Sequence, residues 1–231
     1  MKRLLLALPI VLSCKQSPSG ASSGSSTGPA PLAPRASDYL GRPIAQPMSY
    51  AGADWLDRPD REAREQPEHV LDVLGVKEGM VVADVGAGTG YFTLRIARRV
   101  GARGHVYATD LQPEMLEMLA KKAGTDAVIE TRLSTPADAR LPKAALDLVL
   151  MVDVYHELPY PAETMTQVRD ALKPAGRVAL VEYRLEDPNV AIKTEHKMAL
   201  PQIQKEMAAA HFTFVMSDES LPEQRIVTFS K

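Results

Sequence analysis

The amino-acid sequence predicts an α/β fold built on a doubly wound, mostly parallel sheet with helices on both faces. Over residues 67–183, short apolar runs alternate with amphipathic helical segments, which is the pattern of repeated β-α units. A glycine-rich stretch separates the first strand-like run from the helix that follows it. Two strand-like runs then follow each other near the end of the chain, which predicts an antiparallel strand there.

Helices are predicted where apolar residues recur every three or four positions. Several of these segments begin at a proline, which suits a first turn because its missing N–H would have no partner there. Gly75 closes the first helix and Pro174 stops the fourth. In chain order the predicted helices are 67–74, 91–100, 113–123, 161–172 and a segment after Pro201.

Strands are predicted where short runs are apolar and rich in β-branched residues, as buried parallel strands are. The first run is followed directly by glycines, and the run at 146–152 is strongly apolar. In chain order the predicted strands are 80–85, 105–109, 127–133, 146–152, 176–183, 212–216 and 226–229.

The composition is that of an ordinary globular protein. Of 231 residues, 45% are hydrophobic and 24% are charged, and about one domain is left once the N-terminus is set aside. The formal net charge of -2 offers no basic footprint for nucleic acid. Cys14 is the one cysteine, which excludes an intrachain disulfide and a cysteine-built zinc site. We predict a single monomeric domain at residues 50–231.

The first fourteen residues have the features of an export signal. Residues 1–3 are a short basic region, and residues 4–12 are an apolar run far shorter than the roughly 20 residues that span a bilayer. Residues 11–14 resemble the lipobox of bacterial lipoproteins, in which a cysteine becomes diacylated after cleavage. The resemblance implies a signal peptide at 1–13 and a membrane anchor at Cys14. The alternative is an N-terminal extension from a misassigned start.

Residues 14–49 are predicted to be the lipidated cysteine and a linker. Residues 15–36 are rich in Ser, Gly and Pro and bury too little apolar surface to offset the entropy of ordering, which predicts a disordered tether. Lys15 is not the aspartate associated with inner-membrane retention, so the lipoprotein resemblance implies the outer membrane or periplasmic side of the cell envelope. If the signal is not used, the domain is cytoplasmic.

The most informative segment is the loop with glycines at 86, 88 and 90, between a strand and a helix. These glycines let the backbone turn tightly and approach a ligand. Asp110 ends the next strand, where an acidic side chain can accept hydrogen bonds from ribose hydroxyls. The spacing is G-x-G-x-G and not the dinucleotide pattern. Asp84 precedes the loop and suits an ammonium or sulfonium better than a pyrophosphate.

Five segments resemble the motifs of class I S-adenosylmethionine-dependent methyltransferases and cover about residues 65–230 in the family's order. They are 84–90 (motif I), 109–116 (the second motif), 136–142 (the adenine loop), 146–158 (motif IV) and 172–177 (the turn into the next strand). The resemblance implies a Rossmann-like, seven-stranded sheet, S-adenosylmethionine as cofactor and a small organic acceptor. The nearest group includes ubiquinone/menaquinone and arsenite methyltransferases, and the lack of cysteines disfavours the arsenite branch.

The resemblance also implies which residues bind the cofactor and where the methyl group is transferred. The predicted cofactor-binding residues are Asp84, Gly86, Gly88, Gly90, Asp110, Leu111, Asp138, Ala139 and Asp153. Tyr155 and His156 follow the fourth strand at the mouth of the site, and His156 titrates near neutrality and can take a proton. The alternative is a structural role, in which His156 only caps a loop or packs beside the cofactor.

Other candidates near the site are weaker. Glu157 is a second candidate base, and His196 lies in a region that covers the pocket in related enzymes. Trp55 and Arg58 form part of a lid or pack the N-terminal segment onto the core. No cluster of metal ligands is visible in the sequence.

Two other functions stay open. A nicotinamide-dependent oxidoreductase on a similar sheet is disfavoured by the glycine spacing and by the absence of a Tyr-x-x-x-Lys pair. A non-catalytic module that keeps the methyltransferase fold is disfavoured by intact acidic residues at the three cofactor positions.

Overall fold

The structure is a computed structural model that describes residues 37–231. The predicted signal peptide at 1–13, the lipidated Cys14 and the tether at 15–36 lie outside the described residues and stay predictions. Within residues 37–231, no helix combines the length and the apolar character that crossing a bilayer requires.

Ten strands and six α-helices are present in the described part of the chain. The strands are β1 Asp38–Tyr39, β2 Arg42–Pro43, β3 Val81–Val85, β4 His105–Asp110, β5 Ile129–Leu133, β6 Leu146–Val152, β7 Leu172–Arg184, β8 Lys197–Met198, β9 Thr213–Asp218 and β10 Gln224–Ser230. The helices are α1 Arg61–Glu65, α2 Pro67–Val73, α3 Thr93–Val100, α4 Pro113–Ala123, α5 Pro161–Ala171 and α6 Leu200–Ala209. Short 3-10 segments include Tyr50–Asp57, Tyr155–Glu157 and Thr194–His196.

The main sheet confirms the predicted fold class. Its strand order is β5-β4-β3-β6-β7-β10-β9, and the two-residue β8 pairs with β7. The strands β5, β4, β3, β6 and β7 are parallel to one another, whereas β10 is antiparallel to both β7 and β9. The sheet is therefore a seven-stranded, mostly parallel sheet with an antiparallel strand at its C-terminal end, plus β8.

Among the predicted elements, the boundary that differs most from its prediction is the start of β7. The fourth predicted helix and the following strand meet directly, because α5 ends at Ala171 and β7 runs from Leu172 to Arg184. Pro174 disfavours helical backbone at the residue before it, so the chain becomes extended at once. The register between β6 and β7 shifts between Leu146 and Leu148, where this early part of β7 joins the regular pairing.

The core lies on both faces of the sheet, as a doubly wound fold requires. On one face α5 and α6 pack against β6, β7 and β10, and on the other α2 and α3 pack against β3 and β6. Neighbouring residues of β3 point to opposite clusters, since Val82 belongs to one and Ala83 to the other, and both are fully buried. Burial on both faces explains why β3 and β6 are apolar almost throughout.

Within the described residues, secondary structure is present before residue 50, where the sequence predicts the folded domain to begin. β1 and β2 pair with each other, and Ile44 and Ala45 are buried. Arg42 is buried against α6, where its Nε donates to Glu206 Oε1 at 2.7 Å. Its Nη1 also donates to the carbonyl of His156 at 2.7 Å. Residues 37–49 carry no apolar periodicity, so the sequence does not reveal that they dock on the domain.

Candidate active site

A cleft of about 890 Å³ opens at the carboxyl ends of β3, β4 and β6. This edge of an open α/β sheet is where ligands bind, because loops from successive strands leave a crevice there. The loops that follow the three strands form its floor. The N-terminal segment before α1 and the stretch before β8 also line it, and they contribute Met48, Trp55 and Ile192 among others.

The glycine loop lines the cleft and has no room for a side chain at its first turn. Gly86 has φ +74°, and a Cβ there would lie 2.4 Å from Cγ2 of Val154. Gly88 also has positive φ and lines the cleft, whereas Gly90 lies behind the loop against Leu119. The loop is tied to β4 because the Gly86 N–H donates to the carbonyl of Thr109 at 2.8 Å. Backbone is therefore presented to a ligand at Gly86 and Gly88.

Asp110 at the end of β4 is held rigidly beside this loop. Its Oδ2 accepts from the Gly88 N–H at 2.9 Å and its Oδ1 from the Gln112 N–H at 2.9 Å. Burial raises the pKa of Asp110, and these backbone donors oppose the shift. Leu111 and Ala139 line the cleft near it. The arrangement suits a nucleoside, with a fixed carboxylate for ribose hydroxyls and apolar walls for a base.

Four of the residues predicted for the site lie outside the cleft lining. Gly90 and Tyr155 are two of them, and Tyr155 is fully buried. Asp138 is about half exposed and turns back on its own loop, where it accepts from the Arg140 N–H at 2.7 Å. Asp84 is buried behind the glycine loop and accepts from Thr93 Oγ1 at 2.6 Å. Asp84 therefore supports the loop from behind.

Burial raises the pKa of Asp84 to about 6, which makes stability depend on pH. A carboxyl whose pKa is raised by folding stabilises the protein below its unfolded pKa, and this contribution is lost as the pH rises through the folded value. We expect the free energy of unfolding of the wild type, relative to Asp84→Asn, to fall by about 1–3 kcal/mol between about pH 4 and pH 7. Urea unfolding of both proteins across this range measures it. A difference that does not change with pH would contradict the burial of an ionisable carboxyl.

His156 lines the cleft and is held by a buried carboxylate. Its Nδ1 is 2.6 Å from Oε2 of Glu182, a fully buried residue of β7, and Glu182 Oε1 accepts from the Tyr155 N–H at 3.0 Å. Burial lowers the pKa of His156, but the Glu182 carboxylate outweighs it and raises the pKa overall. The geometry therefore fixes the ring orientation and directs Nε2 away from Glu182.

His196 meets His156 from a separate part of the chain. Its Nδ1 is 3.0 Å from His156 Nε2, and the two rings are edge to face with centroids 5.0 Å apart. Burial and the charge of His156 lower the pKa of His196. Both histidines and Glu157 line the cleft. The structure thus brings together three of the residues that the sequence names separately.

Charged groups of both signs line the cleft next to the glycine loop. Arg58 and Arg61 both pair with Glu65, at 2.7 and 2.8 Å. Asp153, after β6, has φ +54° and accepts from Gln224 Nε2 at 2.8 Å. Its other carboxylate oxygen is buried with no hydrogen-bond partner among the described residues, and burial holds the pKa of Asp153 well above its ordinary value. This lining of both positive and negative side chains suits a zwitterionic ligand, which carries charges of both signs.

The sequence predicts that Trp55 and Arg58 either form part of a lid or pack the N-terminal segment onto the core, and the structure places both beside the cleft. The Arg58 guanidinium stacks over the Trp55 ring at 4.2 Å, and both side chains line the cleft. Sequence reasoning missed Glu182, Arg61 and Glu65. Glu182 could have been found from the sequence, because a charged residue inside the apolar run of β7 must have a partner there.

Comparisons with known proteins agree with this fold. Residues 83–180 match a family model described as a methyltransferase domain. The ubiquinone/menaquinone biosynthesis C-methyltransferase UbiE of Idiomarina loihiensis is 30% identical over 118 residues, which are 50% of this chain and 47% of that protein. The chain thus spans about half the length of the curated relatives it matches.

Solved structures resemble the chain over a larger part of its length. A SAM-dependent methyltransferase from Aquifex aeolicus is 26% identical with a TM-score of 0.75, covering 79% of this chain and 98% of that one. The [4+2]-cyclase SpnF shares the fold, with 15% identity, a TM-score of 0.61 and coverage of 73% and 80%. Residues 83–180 therefore resemble a methyltransferase domain, and the chain has the α/β fold of a solved SAM-dependent methyltransferase.

Proposed function

We propose that this protein transfers a methyl group from S-adenosylmethionine to a nucleophilic carbon of a small, ring-type organic acceptor. The observation that carries the proposal is one cleft lined by two different groups of residues. We place the cofactor beside the first group, Gly86, Gly88 and Asp110, which we call the cofactor end. We place the acceptor beside the second group, His156 and His196, which we call the acceptor end.

The side chains at the cofactor end have charges and hydrogen-bonding groups that match those of the cofactor. The buried Asp110 carboxylate is already fixed by two backbone donors and suits the ribose hydroxyls. Arg58 and Arg61 suit the carboxylate of the methionine part, and Glu65 suits its ammonium group. The unpartnered buried oxygen of Asp153 is a further acceptor beside them. The ribose hydroxyls, the carboxylate and the ammonium group of the cofactor therefore each have a polar partner.

The methyl-transfer reaction determines what the residues at the acceptor end must do. Bound S-adenosylmethionine supplies an electrophilic methyl group, so one bond forms at the acceptor, the C–S bond breaks with its electron pair on sulfur, and S-adenosylhomocysteine leaves. The chain has to align the acceptor for in-line attack, exclude water and help remove a proton. His156 is the residue we propose to activate the acceptor, since Glu182 fixes its ring at 2.6 Å.

The lining favours a small and largely apolar acceptor. Ile44, Met48, Val154, Leu158 and Ile192 lie along the cleft. The relative from Idiomarina loihiensis is named as a C-methyltransferase of ubiquinone/menaquinone biosynthesis, which supports an electron-rich ring carbon as the acceptor atom. A phenol or quinol that loses its hydroxyl proton at the histidine end would present such a carbon.

The test is a transfer assay with methyl-labelled S-adenosylmethionine and a panel of phenols and quinols. We expect labelled product and S-adenosylhomocysteine in equal amounts, with the label on a ring carbon by NMR. Label found only on oxygen would contradict the carbon acceptor. A folded protein that binds the cofactor and forms no product with any ring acceptor would contradict the proposed substrate class.

A further inference from the structure

Three potential metal ligands converge at the acceptor end of the cleft. His156 and Glu157 lie in the 3-10 segment after β6, and His196 ends the 3-10 segment before β8. One ligand atom from each of the three side chains lies within 4.8 Å of the others. All three residues line the cleft.

We infer that His156, His196 and Glu157 bind a divalent transition-metal ion of the zinc type. The spacing of the two imidazoles supports this, because His156 Nε2 and His196 Nδ1 are already 3.0 Å apart. Two histidine nitrogens on one tetrahedral ion, each bonded at about 2.0–2.1 Å, lie about 3.3 Å apart. Replacing the shared proton by an ion thus changes the nitrogen–nitrogen distance by only a few tenths of an ångström, and the two rings tilt so that their lone pairs meet at the ion.

Glu182 supplies the support that a metal-bound histidine requires. Histidine ligands usually donate their second ring N–H to a carboxylate or carbonyl, which fixes the tautomer and the ring orientation. The Nδ1 of His156 has such a partner in Glu182 Oε2 at 2.6 Å, and Glu182 is fully buried. Nε2 is then the nitrogen left for the ion, and it is the one that faces His196.

The ligand set also indicates the class of ion and its use. Two imidazoles and one carboxylate suit zinc and its neighbours, whereas magnesium prefers a shell of oxygen ligands and water. Three protein ligands leave a coordination position for a small molecule, as catalytic sites do. An acceptor hydroxyl bound there would lose its proton more readily. This use rests on the proposed function, but ion binding does not.

The test is a titration of the full chain with Zn²⁺, and with Co²⁺ for its visible absorption bands. The protein carries Cys14→Ser and no histidine tag, so that neither adds a ligand. We expect about one Zn²⁺ per chain, with affinity lowered by about 10- to 100-fold or more in His196→Ala. His196 is partly exposed, so this variant should fold. Mg²⁺ should not compete.

The matched control is His105→Ala. This variant removes a partly exposed histidine of β4, which pairs at 3.2 Å with Glu130 of the neighbouring strand β5. We expect its zinc affinity to equal that of the wild type. Zinc binding that is equally weak in the wild type, His196→Ala and His105→Ala would overturn the site. Cofactor binding, measured on the same samples without metal, shows separately whether the methyltransferase proposal holds.

Discussion

Replacing His156 by alanine should lower kcat for methyl transfer by about 10²- to 10⁴-fold, the range for loss of a group that activates a substrate. The affinity for S-adenosylmethionine should change little, because we place the acceptor beside His156 and the cofactor beside Asp110. The prediction follows from the fixed ring, which Glu182 holds at 2.6 Å. Steady-state kinetics and calorimetry on the same preparation measure both quantities.

His156 is buried, so its removal also leaves a cavity, and a second variant separates the two effects. Glu182→Gln keeps the volume but removes the carboxylate that orients the ring, and we expect a loss of about 10- to 100-fold in kcat. His105→Ala, with its own glutamate partner, is the control and should retain full activity. Full activity in a folded His156→Ala protein would show that His156 only packs beside the cleft.

Replacing Asp110 by alanine should weaken S-adenosylmethionine binding by about 100-fold or more. A fixed carboxylate that accepts from two ribose hydroxyls makes two charge-assisted hydrogen bonds, each worth about 1.5–3 kcal/mol, and about 1.4 kcal/mol is a tenfold change in Kd. The substitution also removes the acceptor of the Gly88 N–H, so the loop loses one of its anchors. Calorimetric titration gives the Kd.

Asp138→Ala is the matched control for this prediction. The motif resemblance names both acids for cofactor binding, but in the structure only Asp110 lines the cleft, whereas Asp138 turns back on its own loop. We expect Asp138→Ala to leave the affinity unchanged within about twofold, as for other surface substitutions. An equal loss in both variants would show that the adenine loop moves toward the cofactor on binding.

The sequence reveals the sheet and the glycine loop because both depend on local rules. Buried parallel strands must be apolar, and a strand-to-helix turn such as that at Gly86 needs a positive φ. Asp110 is found for the same reason, since it stands directly at a strand end. These features need no knowledge of contacts between distant residues.

The acceptor end depends on contacts that no local pattern records. His196 meets His156 across 40 residues, and Glu182 reaches it from a different strand. The segment that carries Arg42 docks through a buried ion pair with Glu206, which is 164 residues away. This segment has no apolar periodicity from which the docking could be predicted. Only the folded arrangement shows that these residues surround one site.

The most direct test of the proposed cofactor is a calorimetric titration of the full chain with S-adenosylmethionine, S-adenosylhomocysteine and NAD. We expect micromolar binding of both adenosyl ligands, no binding of NAD, and loss of the adenosyl affinity in Asp110→Ala. A folded protein that binds neither adenosyl ligand, or that binds NAD in their place, would contradict it.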